Sequence, residues 1–286
     1  MTTLAQKFKI IDTDTHIIEP YDLWTSRISV AKWGDKVPQV KFDPVAQEDA
    51  WYFNNNRLGT AAGAAMAGWH EFPPKHPRVW KDVLPSAWRA EDRLKKMDEY
   101  GIYAQIFYPN VAGFGAGQYL GLEDPELMML CVQAYNDWAV EWASADKKRL
   151  IPQAAMPFWD MDLCIKEMER DGVDAELVFP SLGLMLPRIA DREGQTTACR
   201  IYNDWAWDYT APVRDRLIPA AMIPCIDFDD ALAECKRTAA KGYAAFCLWE
   251  GLNNYNDPRW DPIFAFAGEN SIPLVFHTGV GDINIR

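Results

Sequence analysis

Two short strings repeat along this chain at one spacing. Tyr135-Asn136-Asp137-Trp138 returns 67 residues later as Tyr202-Asn203-Asp204-Trp205, and Arg149-Leu150-Ile151-Pro152 returns at the same distance as Arg216-Leu217-Ile218-Pro219. Upstream, Met97 to Pro109 is echoed by Met168 to Pro180 at a shift of 71 residues. The copied unit reads as strand, helix, strand, so the expected units are about 92–160 and 164–227, and a duplication or a fusion of related halves is the simplest source. A chain built on such a unit is constrained to alternate apolar strands with amphipathic helices.

The rest of the pattern agrees. Arg93 to Tyr100 reads as a helix capped by Gly101, and Ala104 to Pro109 reads as a strand. Asp124-Pro125 opens a helix with an acidic N-cap and proline in the first turn; its apolar stripe is Leu127, Cys131, Tyr135, Trp138 and Trp142. Trp138 and Trp205 are read as helix core. Further strands are expected at 150–157, 175–180, 217–224, 243–248 and 272–277, with Asp160 and Asp227 as N-caps between them. Buried parallel strands joined by helices predict an α/β chain, and the length favours a TIM-like (β/α) barrel as a single domain over 1–286. Residues 20–90 interrupt that pattern with many Trp and Pro and read as an irregular covering insertion after the first strand; Trp51-Tyr52-Phe53 is its candidate strand and Asn54-Asn55-Asn56 its turn.

Chemistry concentrates at the end of the first strand, Ile10-Ile11-Asp12-Thr13-Asp14-Thr15-His16. Regular alternation would put Asp12, Asp14 and His16 on one face, where two carboxylates and an imidazole suit a divalent ion. The same residues also fit a polar strand end whose acids bond backbone N–H groups. His277 closes the last strand, Pro273 to His277, either as a further ligand or as an ordinary polar strand terminus. Glu19, before Pro20, suits substrate, metal or a turn. Arg57 could hold a substrate carboxylate through its planar fork or stay solvated, and His70 and His76 lie in the covering segment with a surface role as the alternative.

The excess of 41 acidic over 29 basic residues, a formal charge of -12, argues against nucleic acid or an anionic membrane as partner. None of the six cysteines shows a C-x-x-C spacing, so they read as reduced core residues. With no opening signal-peptide pattern and no run of about eighteen apolar residues, a cytoplasmic location is expected.

The string Asp12-Thr13-Asp14-Thr15-His16 followed by Glu19-Pro20, together with the Tyr-Asn-Asp-Trp and Arg-Leu-Ile-Pro strings and His277-Thr278-Gly279, resembles the amidohydrolase-related family. Its relatives include aminocarboxymuconate-semialdehyde decarboxylase and the resorcylate-type decarboxylases. The resemblance implies a metal-dependent barrel enzyme with Asp14, His16 and His277 at the ligand positions; their chemistry suits zinc or manganese, and Asp12, Glu19 and Arg57 are read from their own chemistry as supporting or substrate residues. It implies decarboxylation of a small carboxylated aromatic or unsaturated substrate, with metal-dependent hydrolysis of a C–N or C–O bond as the alternative. The family pattern would add a further histidine and a late aspartate, neither present before Arg286; no catalytic acid or base is therefore assigned, and an incomplete or irregular barrel is expected. A catalytically incompetent fragment that associates through an open sheet edge with itself or with a partner is the competing reading.

Overall fold

A computed structural model describes residues 9–63, 66–71, 75–180, 182–249 and 254–277. The chain divides into two compact units, Met1–Glu167 and Met168–Arg286.

In the first unit, β1 (Ile10–His16) is followed by the covering insertion, which is more regular than its sequence suggests. It contains three antiparallel strands, β2 (Gln39–Asp43), β3 (Glu48–Phe53) and β4 (Asn56–Thr60), paired in the order β2-β3-β4. Asn54 and Asn55 sit at φ 46° and 62°, the left-handed conformation that a two-residue hairpin turn requires and that asparagine tolerates. Trp24 of this insertion is fully buried, stands edge-on to Trp51 at 5.2 Å, and donates its indole N–H to the Cys131 carbonyl at 3.0 Å. Burying such a side chain is worth roughly 3 kcal/mol. The insertion is thus pinned down by its aromatic residues.

The regular part of the unit then begins. Helix α1 (Ala90–Tyr100) ends at Gly101, whose φ of 74° lets its N–H turn back to Asp98 and Met97. Strand β5 (Ile102–Tyr108), helix α2 (Pro125–Ala143) and strand β6 (Leu150–Pro152) follow, and the parallel sheet runs β1-β5-β6. The Asp124 carboxylate caps α2 by accepting from Leu127 N–H at 3.2 Å.

After helix α3 (Met161–Asp171), the second unit carries β7 (Glu176–Val178), α4 (Arg192–Tyr209), β8 (Leu217–Pro219), β9 (Ala221–Met222), α5 (Phe228–Lys241), β10 (Phe246–Trp249), α6 (Asp261–Glu269) and β11 (Leu274–His277). Strand β8 pairs with β7, while β9 pairs with β10 and β10 with β11, all parallel. Between them Ala220 N–H reaches Val178 and Ala221 N–H reaches Ala245, so Leu217 to Met222 lies between β7 on one side and β10 on the other. Every strand expected from sequence forms in whole or part, and the fold is α/β with parallel strands in chain order.

The sequence repeat is also a repeat of bonds. Asn136 accepts from Ala155 N–H at 2.8 Å and donates to the Ala155 carbonyl at 3.1 Å and to Glu167 at 3.0 Å. Asn203 does the same with Met222 N–H at 2.7 Å, the Met222 carbonyl at 2.9 Å and Glu234 at 2.7 Å. Arg149 donates to the Ile102 and Tyr103 carbonyls as Arg216 does to those of Val173 and Asp174. Asp124 and Asp191 cap α2 and α4, and Asp160 and Asp227 accept from the first turns of α3 and α5. In each copy one asparagine clamps the helix to the next strand and helix.

One pair breaks the equivalence. Trp138 is 7% exposed inside the core cluster with Trp24 and Trp51, but Trp205 is 55% exposed and stacks on Tyr209 at 5.0 Å, so the expectation of a core role for Trp205 is corrected. The insertion that packs onto α2 follows β1 alone and has no second copy before α4. The cysteines behave as expected: none is in a disulfide, five are buried, and burial pushes the Cys235 and Cys247 thiols up to about 12. Among the described residues no helix is long and apolar enough to cross a membrane.

Candidate functional site

The functional end of the first unit is set by how β1 lies on β5. Asp12 is opposite Gln105, but Thr15 is opposite Phe107 and His16 opposite Tyr108, so β1 has one extra residue between Asp12 and Thr15. Gln105 and Phe107 share one face of β5, since side chains alternate. The bulge therefore puts Asp12 and Thr15 on that face and His16 on the other. This corrects the expectation that Asp12, Asp14 and His16 share a face; the side chain of Asp14 lies outside the described residues.

Asp12 faces the helix layer and belongs to a buried network. Gln105 donates to the Asp12 carboxylate at 2.8 Å, and Arg93, from the first turn of α1, donates to Gln105 Oε1 at 3.3 Å. Arg93 is 2% exposed and also donates to the Ser86 carbonyl at 2.6 Å and to the His16 carbonyl at 3.1 Å. Its guanidinium lies over the Phe107 ring at 5.2 Å. Burial pulls this arginine down to about 10, against the opposing pull of Asp12, so it stays charged at neutral pH. One cation thus fixes the backbone of His16 and balances Asp12 from behind the strand.

On the other face, the His16 ring sits 6.2 Å from the Tyr108 ring, tilted by 50°. Its Nδ1 is buried and finds no hydrogen-bond partner among the described residues. An unpaired buried ring nitrogen costs about 1–3 kcal/mol unless something binds it. An imidazole nitrogen left without a partner at a strand end is a donor that zinc or manganese accepts, so the His16 ring fits such an ion. Among the described residues no three His, Cys, Asp or Glu side chains are grouped to hold a metal. His277 ends β11 opposite Trp249 in register; its side chain, like residues 278–286, lies outside the described set.

Glu19 turns out to be a clamp. It is 1% exposed; its Oε1 accepts from the N–H groups of Asn110 at 2.7 Å and Val111 at 3.0 Å, and Oε2 accepts from the Asn110 amide at 3.3 Å. Asn110 donates in addition to the Ile17 carbonyl. These bonds tie the chain leaving β1 to the chain leaving β5. Burial raises the Glu19 carboxyl above its ordinary value, and the Asn110 and Val111 N–H groups pull the other way.

Arg57 is engaged within its own sheet: Nε donates to Asp43 at 2.7 Å and Nη2 to Glu48 at 2.5 Å. Glu48, 5% exposed, also meets His76 at 3.0 Å and Arg78 at 2.7 Å. Burial pushes Glu48 up, but the His76 and Arg78 bonds outweigh it and hold the carboxyl below its ordinary range. His70 is exposed and lies against Trp69 at 4.4 Å. Sequence reasoning missed Arg93, Gln105 and Asn110. A signal for Arg93 existed, because it lies four residues before Met97 and so on the apolar face of its helix.

Comparison with known families bears on the second half of the chain. Residues 159–286 match the family model described as Amidohydrolase. That stretch is a little under half of the chain. No curated protein matches the chain. Among solved structures, the chain is similar to 2,6-dihydroxybenzoate decarboxylase from Rhizobium, at 21% identity over 41% of this chain and 39% of that one, with a TM-score of 0.37. It is similar to an amidohydrolase from Mycobacterium avium subsp. paratuberculosis at 16% identity, over 94% of this chain and 59% of that one, with a TM-score of 0.34. It is also similar to 5-carboxyvanillate decarboxylase from Sphingomonas paucimobilis at 24% identity, over 44% and 39%, with a TM-score of 0.35. The matched regions thus span between 39% and 59% of those proteins.

Proposed function

We propose that this chain is part of a TIM-like (β/α)-barrel enzyme that depends on zinc or manganese and removes carbon dioxide from a small carboxylated aromatic or unsaturated acid. Asp14, His16 and His277 are the proposed ligands. The observation that supports this most is His16: its Nδ1 is buried and unpaired at the C-terminal end of a parallel strand, and its carbonyl is held by a buried arginine. The match of residues 159–286 to the amidohydrolase family model supports the same class. A divalent ion bound there would polarise a substrate oxygen or lower the pKa of a bound water.

The chain's own residues prepare for that role. Arg93 holds the His16 backbone and leaves its ring free on the opposite face. Asp12 is neutralised through Gln105 and Arg93, away from the ring, and so acts as support. Glu19 holds the mouth of β1 against that of β5. In the reaction the bond between ring carbon and carboxylate breaks, carbon dioxide leaves, and that carbon takes up one proton.

The test is carbon dioxide release from a panel of hydroxylated aromatic and unsaturated carboxylic acids, with zinc or manganese supplied. Release that falls at least 100-fold in His16→Ala is the expected outcome. Turnover of amide or ester substrates without carbon dioxide release would reject the decarboxylase reading.

A further inference from the structure

Beside the strand end that carries His16 lies a cavity of about 160 Å³. The β3–β4 hairpin lines it on one side and the chain after β1 and β5 on the other. Ile18, Trp51, Leu58 and Val111 supply apolar walls, and Thr60 and Gln118 supply neutral polar groups. Among the described residues no Lys, Arg or His lines it. The one ionisable group at its wall is Glu19, whose two oxygens already accept from Asn110 and Val111. A bound anion would meet that acid with no cation to offset it.

Size and wall chemistry together specify an occupant. Apolar protein cavities of about 150 Å³ accept a benzene ring. Gln118 and the backbone along 59–61 add neutral hydrogen-bonding partners suited to a ring hydroxyl, as pockets of this type use a few polar groups to fix orientation. Gly59 shows that the space is open from the strand side as well. It is paired with Trp51, so a Cβ there would stand on the same face of the sheet as the Trp51 side chain, and it would meet no atom within 4 Å.

We propose that this cavity binds the uncharged, hydroxylated ring of the substrate and excludes its carboxylate, which is left to the His16 side. As a substrate site the cavity depends on the function proposed above, but its preference for a neutral phenolic ring over an anion is a property of the cavity itself. The hairpin, an insertion after the first strand, would then set which ring the enzyme accepts.

Titration of phenol and benzoate into the metal-free protein, followed by the fluorescence of Trp51 and its neighbours and by ligand NMR, tests this. Phenol is expected to bind with a Kd of about 1 mM, in keeping with a seven-atom ligand, and benzoate at least 10-fold more weakly. Gly59→Leu, which fills the cavity, abolishes phenol binding. Gln118→Leu weakens phenol several-fold without changing toluene, and it decides the question if Gly59→Leu does not fold. Benzoate binding as tight as phenol, no phenol binding at about 10 mM, or unchanged phenol binding in a folded Gly59→Leu protein overturns the proposal. Since no metal is present, these outcomes are independent of whether the chain binds one.

Discussion

Replacing Asn203 by alanine lowers stability by about 3–4 kcal/mol, the cost of leaving several buried polar groups without partners. Asn203 is fully buried and makes three bonds through its amide, two to Met222 and one to Glu234. Truncation strands a backbone N–H and a carbonyl where water cannot reach, and takes one donor from Glu234, which is itself 0% exposed. Part of that loss is offset because Arg237 still donates to both Glu234 oxygens at 2.7 and 2.8 Å. Asn136→Ala is expected to cost a similar amount in the first unit, since Asn136 and Glu167 are each 1% exposed and make the equivalent bonds. Urea midpoints of the two variants and the wild-type protein, at unchanged m, measure this directly. A change below about 0.5 kcal/mol in either would show that the clamp is dispensable.

The second large effect is on Arg93. Substitution by methionine keeps most of the volume but removes bonds to Ser86, Gln105 and His16 and leaves the Asp12 carboxylate without its nearby cation. Breaking a buried charge network by removing one partner costs about 3–5 kcal/mol. The more informative readout is metal affinity. If Arg93 positions His16, Arg93→Met weakens zinc binding by 10- to 100-fold even when measured on folded protein, as loss of supporting residues does at metal sites. Lysine cannot restore the forked geometry, so Arg93→Lys rescues little of it. Calorimetric titration of zinc into the variants checks the point; unchanged affinity with lowered stability would reduce Arg93 to a purely structural residue.

Much of this architecture can be read from the residues. Apolar strands such as Pro273 to His277 and capped helices such as that opened by Asp124-Pro125 announce themselves because local propensity and burial agree there. The Tyr-Asn-Asp-Trp repeat located both clamps, although the amide bonds that make Asn136 and Asn203 equivalent appear only in three dimensions. Where the reading failed, nonlocal pairing decided the outcome. The bulge between Asp12 and Thr15 is fixed by register on β5, which alternation in β1 alone cannot reveal. Strand β2 has little pattern of its own and forms because β3 offers it an edge. Trp205 looks like Trp138 in sequence, yet its burial depends on a covering segment supplied elsewhere in the chain. Arg57, a plausible substrate contact in isolation, proves to be committed to Asp43 and Glu48.

The central claim is that the end of β1 is a metal site organised around His16, and metal content tests it most directly. Purified chain, loaded with zinc or manganese and dialysed, should retain about one ion per chain by elemental analysis, and His16→Ala should retain none. Wild-type protein that comes through dialysis folded and metal-free, or a folded His16→Ala variant that binds the ion as tightly as wild type, would contradict the account.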